Sequence, residues 1–220
     1  MACDFWHRSL DGESIIYKKM ADFHTPTIQD IEEARKVFEE IDPRKLFYRA
    51  ATELVELTIS GKTSLTLAEA IAVLLQTWNR PFYRYRSFDS QHFSDIDGLI
   101  KRYRKVLESF RQRSIGTLHY QDGEAVKKVF KSFEEVLGPV GAAKSLHLLA
   151  PLFFPLWDRA IARAYGLPLH KRGENAERYF HFMEIAKEQH RCLGGETVIG
   201  QNILKSIDEY NFCKYTRNSI

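Results

Sequence analysis

Residues 137–167 read Leu137-Gly-Pro-Val-Gly-Ala-Ala-Lys144-Ser-Leu-His147-Leu-Leu-Ala-Pro-Leu-Phe-Phe-Pro-Leu-Trp157-Asp158-Arg-Ala-Ile-Ala-Arg-Ala-Tyr165-Gly-Leu167. The order is a Gly-rich turn, an apolar helix with one lysine, a proline-bounded hydrophobic loop, and a second helix that opens on an aspartate. A turn feeding a helix N-terminus presents backbone N–H groups to an anion such as a phosphate. Lys144 on the first helix and Asp158 at the start of the second can then face one pocket. Each residue also has a plainer reading. Aspartate is among the best N-caps, a lysine is ordinarily solvated, and Gly138 and Gly141 suit any tight turn.

Outward from that stretch the periodicity is helical throughout. Residues 27–41 place Ile31, Ala34, Val37, Phe38 and Ile41 on one face. Asp42-Pro43 separates a second helix, which Gly61 stops. Thr66 to Glu69 form a capping box ahead of Ala70 to Trp78, apolar all round and so expected at the centre of the fold. Asn79-Arg80-Pro81 breaks it, and Phe82-Tyr-Arg84-Tyr-Arg86 interleaves aromatic and basic residues. Amphipathic helices follow over 95–110 and 124–137, with Lys and Arg outward. After the quoted stretch, 174–192 and 198–212 read as helices separated by Gly194-Gly195. Strand signals are nearly absent; Ile115 to Tyr120 reads as a short extended piece. The expectation is one all-α unit over 1–220, with two helical lobes facing each other across a cleft.

Composition agrees with a globular chain. Of 220 residues, 44% are hydrophobic and 28% charged, and the formal net charge is only +3. A polyanion partner would therefore depend on where the basic residues cluster rather than on their excess. Cys3, Cys192 and Cys213 are three and widely spaced, so they imply neither a disulfide framework nor a zinc site. Four close cysteines, as an iron–sulfur cluster requires, are absent from the sequence. No metal or other cofactor is expected. The first residues do not read as a signal peptide, and no run is long enough to span a bilayer. A cytoplasmic protein with reduced thiols and no membrane partner is expected.

Leu137-Gly-Pro-Val-Gly141, with Lys144 after it and Asp158 opening the next helix, resembles the hairpin and catalytic helix of the helix-hairpin-helix DNA glycosylases. The family writes Leu-Pro-Gly-Val-Gly, so Gly and Pro are exchanged here. Lys144 lies one residue further from the second glycine than is usual, and the interval to Asp158 is several residues shorter. The resemblance is carried by about 122–167, and a second match lies upstream. Ile71 to Leu75 followed by Gln76-Thr-Trp78-Asn79 is similar to the early family helix whose end enters the gap left by a flipped base. The stretch Lys144-Ser-Leu-His-Leu-Leu-Ala-Pro to Trp157-Asp158 also resembles bacterial members, some of which act in phage defence on α-glucosyl-hydroxymethylcytosine.

The resemblance implies an enzyme that flips a modified base out of double-stranded DNA and cleaves its N-glycosidic bond, in defence or in base excision repair. Asp158 would stabilise the sugar cation that develops, and Lys144 would supply the amine if the chemistry extends to strand cleavage. Gly138, Val140, Gly141 and Ala142 would contact phosphate. Trp78, Asn79, Arg80 and Arg84 would enter or flank the duplex, and Gln76, His147 and Trp157 would line the base pocket. From the residues alone His147 reads as a hydrogen-bonded core histidine, and Trp78 and Trp157 as core aromatics. Two other classes fit the same sequence: a non-enzymatic DNA-binding module, and a helical protein–protein adaptor.

Overall fold

A computed structural model describes residues 25–41, 44–195 and 202–220. Among the described residues every regular element is a helix. They are α1 (Ile28–Ile41), α2 (Arg44–Ile59), α3 (Leu67–Trp78), α4 (Arg80–Tyr83), α5 (Ser90–Arg111), α6 (Gly123–Leu149), α7 (Arg159–Ala164), α8 (Ala176–Cys192) and α9 (Ile203–Asn211). A π-helical stretch, Phe212–Arg217, follows α9.

Helix ends form where capping chemistry is local. Thr66 and Glu69 close the capping box on α3, with Thr66 N–H donating to Glu69 Oε2 at 2.6 Å and Glu69 N–H to Thr66 Oγ1 at 3.2 Å. Asp89 accepts from the His92 N–H at the start of α5, at 2.8 Å. Arg111 Nη1 donates to the Leu149 carbonyl at 2.9 Å and so covers the C-terminal end of α6.

α6 is the spine. α5 and α8 pack along it, α2 packs on α3, α3 on α5 and α6, and α9 on α1. Among the described residues, most buried apolar side chains belong to one cluster that runs from Ile31 to Cys213. Its densest part is aromatic: Phe110 stacks on Phe153 with centroids 4.6 Å apart, and Phe130 on Tyr179 at 4.1 Å.

Three expectations are corrected. The extended piece at 115–120 is instead two 3-10 turns, Ile115–Thr117 and Tyr120–Asp122. α3 is not buried all round: Val73 is 50% exposed, while Ile71 and Leu75 are fully covered. The Gly-rich turn is a kink of a single residue, with φ 70° and ψ 168° at Gly138, and helix resumes through Pro139. Proline suits a first helical position, because its fixed φ matches and its missing N–H would have no partner there.

No helix among the described residues is long and apolar enough to cross a membrane. Cys3 lies outside the described residues; Cys192 is exposed and Cys213 buried.

Candidate active site

The proline-bounded loop between α6 and α7 is apolar and yet rigidly placed, because its backbone and aromatic groups find buried partners. Phe153 and Phe154 are fully buried. Tyr179 O–H donates to the Pro155 carbonyl at 2.8 Å. The Trp157 indole N–H donates to the Pro139 carbonyl at 3.1 Å, tying the end of the loop to the kink in α6. The next residue, Asp158, is thereby held at the start of α7. Its Oδ1 caps the helix by accepting the Ile161 N–H at 2.9 Å. Its Oδ2 accepts the Thr216 hydroxyl, also at 2.9 Å. The plain reading of Asp158 as an N-cap is thus correct, and it leaves the carboxylate half-exposed with a defined orientation.

Lys144 lies on the C-terminal half of α6 and reaches α3. Its Nζ donates to the Trp78 carbonyl at 2.7 Å and stands 4.6 Å from the Trp78 ring centroid. That carbonyl belongs to the last turn of α3, where carbonyls lack helical partners, so the lysine also serves as a C-terminal cap.

These residues share one small pocket. Lys144, Asp158, Trp78 and Trp157 line it together with Lys205 and Asp208 from α9. Phe38, Tyr48, Leu156 and Phe212 complete the wall. Its volume is about 40 Å³, on the scale of a single water molecule. Lys205 Nζ makes an ion pair with Asp208 Oδ2 at 2.7 Å, and Glu209 Oε1 is 3.7 Å away.

His147 is corrected from base-pocket residue to core residue. It is fully buried and does not line the pocket. Nδ1 is 2.8 Å from the Phe154 carbonyl, which only accepts, so Nδ1 carries the hydrogen. Nε2 then accepts from Tyr48 O–H at 2.9 Å. Burial lowers the His147 pKa to about 4 and raises that of Tyr48 well above its ordinary value. His147 therefore acts at one remove, by fixing a wall of the pocket.

Other site residues are placed differently from the sequence expectation. Asn79, expected at an exposed helix end, is 4% exposed. Its backbone N–H donates to the Leu75 carbonyl, and its side-chain nitrogen has no hydrogen-bond partner among the described residues. Gln76 is exposed and outside the pocket. Gly138, Gly141 and Ala142 are buried, so their small size serves packing within the chain rather than approach by a phosphate. A Cβ at Gly138 would meet the Phe82 ring at 3.2 Å, and one at Gly141 would meet Asn79 Nδ2 at 2.8 Å. Of the phosphate-contact set, Val140 alone is half-buried.

Arg80 is in α4, and its side chain lies outside the described part. Arg84 is exposed, and Tyr85 beside it is 91% exposed. Arg86, by contrast, is engaged with His92 Nδ1 at 3.0 Å and with Asp95 at 3.8 Å. Comparison of the chain with protein-family models, curated proteins and solved structures returns no match.

Sequence reasoning missed Lys205, Asp208, Phe38, Tyr48 and Phe212 as pocket residues. Periodicity on α1 marks Phe38 only as a helix-face residue, and on α2 it turns Leu46, Phe47, Ala50, Leu54 and Val55 inward rather than Tyr48; Leu46 and Phe47 are instead 56% and 39% exposed. Lys205, Asp208 and Glu209, at i, i+3 and i+4, carry the pattern of a solvated ion-paired face. No local signal distinguishes that face from a buried one.

Proposed function

We propose that this protein is a DNA glycosylase that flips a modified base from duplex DNA and cleaves its N-glycosidic bond. One observation carries the reading: Lys144 and Asp158, from separate helices, wall the same aromatic pocket. Cleavage of the bond leaves positive charge on the sugar as the base departs. A fixed carboxylate stabilises that charge more strongly in a dry, preorganised pocket than in water. The Ile161 N–H and the Thr216 hydroxyl hold Asp158 in one orientation for this role.

Trp78 and Tyr48 supply the ring surfaces on which an extruded base stacks. Admission of a base needs the wall to part, and Trp78, half-buried, is the last residue of α3. With Asn79 buried, the exposed Arg84 and Tyr85 take over contact with the opened duplex. Attack by Lys144 on the sugar requires release of its bond to the Trp78 carbonyl. Strand cleavage is therefore a slower, separable activity in this reading.

The pocket's small volume favours a second reading, a DNA-binding helix-hairpin module without chemistry. A panel of duplexes with different modified bases, scored for abasic sites after alkaline heating, separates the two. Excision of at least one base is expected, with Asp158→Asn lowering the single-turnover rate by about a hundredfold or more while the melting temperature stays within a few degrees. Asparagine caps as well as aspartate. Salt-sensitive binding without excision of any base establishes the binding module instead.

A further inference from the structure

We infer that Lys205 is the leaving-group residue of this site: its ammonium faces the departing base and stabilises the negative charge it carries away. The inference rests on the glycosylase reading and assigns the half of the reaction that Asp158 does not serve.

The helix α9 buries three charged residues at i, i+3 and i+4. Lys205 is 5%, Asp208 9% and Glu209 5% exposed. Taking such a set out of water is costly, and well-packed apolar side chains are often at least as stable in its place. A buried ion cluster on a cleft wall is therefore a candidate for function, provided the geometry agrees. Here it does. Lys205 Nζ stands 4.7 Å from the Phe38 ring centroid, 5.1 Å from that of Tyr48 and 5.8 Å from that of Trp78. Tyr48 and Trp78 are the rings against which a flipped base would lie. Asp208 fixes the ammonium from α9 itself, at 2.7 Å. Tyr48 is fixed in turn by His147. The cation is thus preorganised among the aromatic walls of the pocket that also holds Asp158.

Charge separates as the bond breaks. The C1′–N bond opens, and its electron pair leaves with the base. A water oxygen then bonds to C1′ and releases a proton to solvent, and the departed base takes one proton up. Between those events the sugar is positive and the base negative. Asp158 answers the first charge and Lys205 the second. Removing Lys205 should then cost most for bases that hold negative charge poorly.

The test compares wild type with Lys205→Gln. The double variant Lys205→Gln with Asp208→Asn is included because the single change removes the ammonium that the buried Asp208 carboxylate holds at 2.7 Å. Single-turnover excision is measured on the base found in the panel and on its ring-fluorinated analogue, a better leaving group. The expected result is a loss of about a hundredfold on the ordinary base and a loss at least about tenfold smaller on the fluorinated one, in variants that melt cooperatively. Equal losses on the two bases overturn the assignment, as does unchanged excision by the folded double variant. A wild-type protein that excises nothing overturns the glycosylase reading, and this inference with it. That outcome is recognised because it appears before any substitution is made.

Discussion

Gly141 and Asn79 meet at a point where one atom matters. A methyl group at Gly141 would lie 2.8 Å from the Asn79 side-chain nitrogen and 3.0 Å from Leu137 Cβ. Asn79 is 4% exposed, and its Nδ2 has no hydrogen-bond partner to lose among the described residues. Gly141→Ala is therefore expected to destabilise by about 1–3 kcal/mol through overpacking. Asn79→Ala in the same chain should recover part of that loss, because it removes the closer of the two obstacles. Chemical denaturation of the two single variants and the double variant measures the coupling. Additive losses would show that the clash is with Leu137 instead. The same contact explains why a bulky residue at Gly141 would be a poor probe of DNA binding: it acts on the fold first.

At the scale of elements, the kink in α6 depends on one backbone conformation. Gly138, at φ 70° and ψ 168°, occupies a region almost exclusive to glycine. The kink lets the two halves of the helix take different tasks. The first packs Val126, Phe130 and Phe133 in the core, and the second buries Leu146 and His147 and carries Lys144 to the pocket. Gly138→Ala would add strain of order 1–3 kcal/mol and set a Cβ 3.2 Å from the Phe82 ring. On the proposed glycosylase reading, the expected outcome is a lower melting temperature together with a larger proportional loss of excision, since Lys144 and Pro139, the anchor of Trp157, both lie beyond the kink. Loss of excision in step with loss of folded protein would confine Gly138 to a structural role.

For the whole molecule, acid should weaken the fold through His147. The neutral ring is held between Tyr48 and the Phe154 carbonyl, and burial lowers its pKa from 6.5 to about 4. The unfolded chain takes up this proton near pH 6.5, whereas the folded chain resists it until about pH 4. The contribution to stability is therefore complete above about pH 6.5 and is lost as the pH falls toward 4. Its size is of order 3 kcal/mol. His92 acts in the same sense, lowered by burial and by the Arg86 cation beside it. Denaturation midpoints measured from pH 7 to pH 4 should fall steadily, and His147→Gln should flatten that slope. An unchanged slope in the variant would assign the acid sensitivity elsewhere.

The chain's local chemistry determined most of its helices. Thr66 with Glu69, Asp158 before α7, and the left-handed glycines at 166, 194 and 195 mark ends that the structure keeps. These signals act within one turn of backbone, so no distant partner is needed to read them. Alternation of apolar and polar residues likewise identified the inner faces of α1, α5 and the first half of α6. Tertiary structure alone decided which faces meet. Lys205, Asp208 and Glu209 have the spacing of a surface ion-pair ladder, yet they are buried because α9 packs on α1 and closes the pocket. Gln76 and Asn79 are neighbours at one helix end, yet one is exposed and the other covered by the second half of α6. Asp158 and Lys144 were legible as candidates because each sits at a locally marked position. Their convergence on one pocket with Trp78 depends on long-range packing, which neither hydrophobic periodicity nor capping encodes.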